Sequence, residues 1–159
     1  MDGLQLGRLT DRMLIAATIT TGLVAGLLFG FACAVMPGLR RVDDAEFVVV
    51  MQSINRRILG GWFLLCFVGA PLLTVAALVV DVIGDRAAVL PIATALGLTA
   101  LSYLITAAVN VPLNNALEAS TADPAQARAL FEAPWVRWHI ARTVASTGAF
   151  GGLVWALAS

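Results

Sequence analysis

The stretch Met13–Met36 carries no charged side chain over about 24 residues. As an α-helix, at ~1.5 Å per residue, it reaches about 36 Å, enough to cross the ~30 Å hydrocarbon layer of a bilayer with some tilt. Three further apolar segments follow, at about Ile58–Val80, Ala88–Val109 and Trp135–Ala158. Together with their loops they use up the 159 residues. The expected fold is therefore all-α: a bundle of four transmembrane helices forming a single integral membrane domain over residues 1–159, in contact with the lipid bilayer. Composition agrees. The chain is 60% apolar and only 13% charged, against about 45–50% and 25% in soluble domains. Arg8 and Arg12 ahead of the first run, and Ala32-Cys33-Ala34 within it, resemble a secretory signal. The run is much longer than a signal's apolar segment, so a retained helix is expected.

All ten cations are arginine, and they balance ten carboxylates. A neutral chain lacks the basic surface a nucleic acid would need. Cys33 and Cys66 lie in different apolar runs and show no metal-ligand spacing, so both read as small apolar groups. In the first helix Gly22, Gly26 and Gly30 recur every fourth residue, continued by Thr18 and Ala34. Such a small-residue ridge admits a neighbouring backbone, and a homo-oligomer through this face is one expectation. Pro37-Gly38 is expected to end the helix.

Asp43 and Glu46 have the spacing of a capping box. The segment they open, Asp44–Arg57, has Phe47, Val48, Val50, Met51 and Ile54 on an apolar side. It reads as an interfacial amphipathic extension of the second span. Pro71 lies inside that span, and Asp81, Gly84, Asp85 and Arg86 read as a short wet turn. In the polar segment Asn110–Pro134, Thr121-Ala122-Asp123-Pro124 reads as a turn, with Asp123 capping a short helix Pro124–Glu132. Arg40, Arg41, Arg56, Arg57, Arg128 and Arg137 fall on one side of the bundle, and Arg8, Arg12 and Arg86 on the other. By the positive-inside rule the two long loops are expected in the cytoplasm and both termini outside. Helices one and three both run into a proline, Val35-Met36-Pro37 and Asn110-Val111-Pro112. A duplicated hairpin and shared membrane-edge chemistry explain this echo equally well.

Polar groups are expensive at membrane depth, so their alignment matters. On helix three, Thr99, Ser102, Tyr103, Thr106 and Asn110 recur at spacings of three and four and lead to Pro112 and Asn114. On helix four, His139, Arg142, Thr143 and Ser146 share a face flanked by Trp135 and Trp138. Two readings stand. In one, Asn110 and Asn114 cap helix three, Arg142 reaches toward headgroups and the tryptophans anchor the interface. In the other, the two stripes face each other and line a cleft. One histidine, two distant cysteines and no intramembrane carboxylate make a weak metal-ligand set. No cofactor is predicted, neither metal nor haem being excluded.

The segments Phe31–Arg40, Met51-Gln52-Ser53-Ile54-Asn55-Arg56, Asn110-Val111-Pro112-Leu113-Asn114 and Trp135-Val136-Arg137-Trp138-His139-Ile140-Ala141-Arg142-Thr143 resemble the anthrone oxygenase family across almost the whole chain. Some relatives in polyketide pathways convert an anthrone to an anthraquinone. The resemblance implies a small membrane protein whose polar motif positions are Asn55, Asn110, Asn114, Trp138 and Arg142. Members often have asparagine where this chain has His139, which leaves that residue's role open between a base and an amide substitute. The implied chemistry is removal of a proton from a lipophilic aromatic or polyketide-like substrate, followed by reaction of the carbanion with O₂. His139 is then the candidate base, and Arg142, Asn110 and Asn114 the candidate oxyanion donors. Trp62, Trp135 and Trp138 are candidate walls, with Asn55, Tyr103 and Thr106 completing the substrate-binding set. A membrane scaffold or complex subunit, and a carrier for a small lipophilic molecule, are the non-enzymatic alternatives.

Overall fold

The computed structural model describes residues 3–84, 88–121 and 123–158, and every regular element among them is helical. Helix α1 covers residues 3–39: an α segment Gly3–Gly30, a π-helical turn Phe31–Val35, and Met36–Leu39. Helix α2 is Asp44–Ile58 and α3 is Gly61–Ile83. Helix α4 covers Val89–Glu118, with a second π turn at Thr106–Asn110. Helix α5 is Pro124–Ala158. Helices α1, α3, α4 and α5 are long and apolar enough to cross a membrane. The chain thus forms the expected four-span bundle.

Several helix ends differ from expectation, and proline is the main reason. Proline lacks an N–H, and its ring crowds the carbonyl four residues back. In α1 the helix widens just before Pro37: the Met36 N–H donates to Phe31 O, five residues back. In α4 the Val111 N–H does the same to Thr106 O just before Pro112. Each π turn ends two residues before its proline, and the helix continues to Leu39 and Glu118 respectively. Pro37-Gly38 therefore does not end the first helix, and Asn110 and Asn114 lie inside α4 instead of capping it. Pro134 likewise sits within α5, so the expected short helix and fourth span are one helix of 35 residues.

One half of the capping box forms: Asp43 caps α2, with the Glu46 N–H donating to its Oδ1 at 2.8 Å. Helix α2 is nevertheless separate from α3, because the chain turns at Leu59 and at Gly60, whose backbone is extended. Asp81 is buried inside α3 and its carboxylate accepts the Ala88 N–H at 3.2 Å, so it ties α3 to the start of α4 instead of sitting in a wet turn. The expected turn residues Asp85 and Arg86, and Ala122 of the later loop, lie outside the described residues.

The four long helices close a ring in which α1 packs on α3, α3 on α4, α4 on α5 and α5 back on α1. The ring is inside-out by the standards of a soluble protein. Large aliphatics such as Ile19, Leu23, Leu72, Leu104 and Val144 are exposed, while Thr74, Thr99, Ser102, Thr143 and Ser146 are buried. In lipid this arrangement leaves close packing and internal hydrogen bonds as the adhesive. At Gly152 the helices α4 and α5 approach so closely that a Cβ would stand 3.1 Å from Ala95 Cβ and 3.3 Å from Pro91 O. Of the α1 glycine ridge, Gly22 packs within the chain, against the Phe150 ring. A Cβ on Gly26 or Gly30 would meet nothing among the described residues.

Helix α2 lies across the loop end of the ring, pinned by polar contacts. Arg128 of α5 donates to Asp44 at 3.0 Å, to Glu132 at 2.7 Å and to the carbonyl of Val42 at 2.9 Å. Its guanidinium stands 4.5 Å from the centre of the Phe47 ring. Gln52 donates to Leu117 O at 2.9 Å, and Arg56 pairs with Glu118. Beneath α2 lies a core of Met36, Leu39, Phe47, Met51, Leu117, Phe131 and Trp135. Phe47 is fully buried there, edge-on to Phe131. Phe47→Ala is expected to destabilise the fold by about 3–5 kcal/mol, measured as a lowered thermal midpoint in detergent, with α2 the first segment to lose protection in hydrogen exchange.

Candidate functional site

The polar stripes of α4 and α5 meet. The Ser102 and Ser146 hydroxyls are 2.8 Å apart, and Ser102 also donates to Arg142 O. Nearer the loop end, Asn110 donates to Trp135 O at 3.3 Å, and the Trp135 indole N–H donates to Asn114 Oδ1 at 2.7 Å. Two asparagines one turn apart on α4 therefore fix both the backbone and the ring of Trp135. Asn110 is fully buried, and its Oδ1 has no hydrogen-bond partner among the described residues.

Trp135 and His139, one turn apart on α5, stack with ring centres 4.6 Å apart and planes 10° apart. His139 Nε2 lies 2.9 Å from Leu28 O, and its Nδ1 receives Arg142 Nε at 3.2 Å and Nη2 at 3.0 Å. A carbonyl only accepts and a guanidinium only donates. The imidazole is therefore the neutral tautomer with its hydrogen on Nε2, and its one lone pair is already engaged by Arg142. The remaining guanidinium arm, Nη1, donates to Thr106 Oγ1 at 3.1 Å, and Thr106 in turn donates to Ser102 O. Arg142 is 9% exposed, its charge 5.4 Å from the Trp135 ring centre. It has no carboxylate partner among the described residues. Three of its five N–H groups are bonded and two are left over.

These groups form one side of a cavity of about 130 Å³. The other walls are Leu27, Leu28 and Phe31 of α1, Ile54, Asn55 and Ile58 of α2, Leu59 in the α2–α3 link, and Phe63, Leu64 and Phe67 of α3. Thr106, Val111 and Asn114 of α4 and Trp135, His139 and Arg142 of α5 complete it. Leu27, Leu59, Leu64 and Val111 are also exposed on the outside of the bundle, so the mouth is apolar and the floor is cationic. The first residue of each π turn, Phe31 and Thr106, borders the cavity, in keeping with the association of π turns with functional sites.

The cavity thus gathers Asn55, Thr106, Asn114, Trp135, His139 and Arg142 from the sequence-derived set. Asn110 stands behind the wall as a support for Trp135. Tyr103 does not line the cavity either; its hydroxyl donates to Phe67 O and its ring stacks on Phe67, a lining residue. Trp62 is 84% exposed on the outer surface, and Trp138 lies outside the cavity beside Arg137. Phe63 and Phe67, and Phe31 as a cavity wall, carry no mark in the sequence, since a phenylalanine in an apolar helix shows no contrast with its neighbours. The Leu28 carbonyl that orients His139 was equally hidden. Among the described residues no three His, Cys, Asp or Glu side chains gather as a metal site would require.

A helical membrane protein with a cationic, aromatic-walled cavity opening through apolar residues is the class these features define. The family model for anthrone oxygenase matches residues 48–152, most of the chain, and the chain belongs to that family. The matched stretch contains every cavity residue except Leu27, Leu28 and Phe31 of α1. Comparisons with curated proteins and with solved structures give no match.

Proposed function

We propose that this protein is a membrane oxygenase that takes an anthrone-like aromatic ketone from the bilayer and oxidises its acidic methylene with O₂. The observation that carries this reading is Arg142: a buried guanidinium on a cavity floor, held by neutral acceptors, with two N–H groups to spare. A buried charge without a counter-ion favours an anionic occupant. The apolar mouth selects one soluble in lipid. An enolate satisfies both.

The substrate carbonyl oxygen sits at Arg142. Loss of a methylene proton moves charge onto that oxygen, where the guanidinium stabilises it in a site of low polarity. As the guanidinium turns to the enolate it releases His139 Nδ1, whose lone pair then accepts the proton. Deprotonation and the movement of Arg142 are coupled in this scheme. The carbanion carbon bonds to O₂, and the peroxide takes back the proton held by His139; the O–O bond then breaks, and the outer oxygen leaves with that proton and the second methylene hydrogen as water. The balance is one ketone and one O₂ giving one diketone and one water, with carbon oxidised and oxygen reduced. Trp135, Phe31 and Phe67 wall the ring and keep bulk water from the carbanion. The arginine-rich loops face the cytoplasm of the cell membrane, and both termini lie outside.

The test is oxygen uptake by the purified protein in lipid nanodiscs on addition of anthrone, compared with empty nanodiscs. Stoichiometric uptake with anthraquinone formation supports the proposal. Saturable anthrone binding without uptake leaves a carrier. Neither binding nor uptake leaves a scaffold.

A further inference from the structure

The cavity has a second polar pole, about two helical turns along α4 from the first. Asn114 Oδ1 is held by the Trp135 indole N–H, which can only donate. That bond fixes the orientation of the amide and leaves its Nδ2 with no partner among the described residues, on a side chain that borders the cavity. Asn55 borders the same end. Its Nδ2 also lacks a partner, and the amide rotates as a unit to offer it.

Thr106, which holds the Arg142 guanidinium, and Asn114 lie on one helix with the π turn between them. In an uninterrupted α-helix their separation of about eight residues would leave them about 80° apart around the axis. A π turn is an α-helix carrying one extra residue. The effective separation is about seven α residues, which brings the two side chains within about 20° of one face and about 10–11 Å apart along the axis. The two carbonyl oxygens of a para-quinone are about 5 Å apart, and a hydrogen bond of about 3 Å at each puts the donors about 8–11 Å apart, from lone-pair-directed to in-line approach.

We propose that the cavity recognises a flat ring bearing two opposed carbonyl oxygens, a para-quinone, with one oxygen at Arg142 and the other at the amide of Asn114 supported by Asn55. This rests on reading the cavity as the substrate site. It adds that a diketone product, which gains an oxygen opposite the first, is held at both poles while the monoketone substrate is held at one. The pole at Asn114 then faces the carbon that is oxidised. Quinone release becomes the slow step, and the product inhibits.

The experiment measures binding of two non-reacting probes to the protein in nanodiscs, corrected for partition into empty nanodiscs. 9,10-Anthraquinone has opposed carbonyls. Xanthone has the same tricyclic outline with one carbonyl opposite a weakly accepting ring ether. One neutral hydrogen bond corresponds to about tenfold in affinity, so anthraquinone is expected to bind about tenfold more tightly. Asn114→Leu is expected to bring the ratio to about one, whatever the loss of the Trp135 hydrogen bond does to the affinity for both probes together. Equal affinities in the unaltered protein overturn the inference, and that reading needs no variant to fold. A ratio that survives both Asn114→Leu and Asn55→Leu overturns it too. A quinone preference without anthrone-dependent oxygen uptake refutes only the oxygenase reading; uptake without the preference refutes only this one.

Discussion

Arg142→Met is expected to lower anthrone-dependent oxygen uptake by about 100- to 1000-fold, the usual consequence of removing a donor aimed at a developing oxyanion. The same change is expected to leave the thermal midpoint in detergent at or above that of the unaltered protein. The two halves of the prediction have one cause. Arg142 is buried against neutral partners only, His139 Nδ1 and Thr106 Oγ1, so it carries the desolvation penalty of a charge without the compensation of a carboxylate. Methionine fills similar volume with no charge to desolvate. It orphans the His139 lone pair, at about 1–3 kcal/mol, while Thr106 keeps its bond to Ser102 O. Relief of a buried charge offsets a loss of that size. Arg142→Lys keeps the charge but lacks the planar fork that spans His139 and Thr106 together, and a loss of about tenfold is expected. A fall in midpoint of more than about 5 °C for Arg142→Met, which is about 1–2 kcal/mol for a chain of this size, would mean that the guanidinium holds the bundle together. The site would then have no reserved cation.

That arginine was legible in the sequence as a charge inside an apolar run, and so was the meeting of the α4 and α5 stripes. Hydropathy fixes which segments span, and three- and four-residue spacing fixes which polar groups share a face. Neither fixes how far a face turns relative to its neighbours. Trp62 adjoins the lining residue Phe63 and Trp138 adjoins His139, yet both tryptophans lie outside the cavity, because one residue along a helix is about 100° around it. The contributions of α1 and α3 were invisible for another reason. Phe31, Phe63 and Phe67 do their work by position alone, and an apolar side chain among apolar neighbours carries no pattern. The prolines misled most directly. Pro37 and Pro112 read as helix ends because proline breaks an α ladder, whereas each is absorbed by a π turn that sequence spacing does not announce.

The pairing of π turn and proline can be tested by removing its halves in order. Deleting Ala108, an exposed residue inside the Thr106–Asn110 turn, takes out the extra residue and returns this stretch to α-helical spacing. The segments on either side keep their facing, because the π turn had only inserted one residue into an otherwise continuous helix. Asn114 still meets Trp135, and Thr106 still meets Arg142. What changes is that the ring of Pro112 now crowds a carbonyl four residues back. An interior proline costs a regular helix about 3 kcal/mol or more. The deletion alone is therefore expected to lower the thermal midpoint steeply and to reduce anthrone binding. Adding Pro112→Ala to the deletion removes the clash and restores the missing donor, so both midpoint and binding are expected to return to near their original values. Rescue of a one-residue deletion inside a transmembrane helix by a single substitution four residues away is a demanding outcome. If the double variant stays as unstable as the deletion, the π turn has a role of its own in shaping the cavity beyond making room for the proline, and the register that places Thr106 and Asn114 on one face depends on it directly.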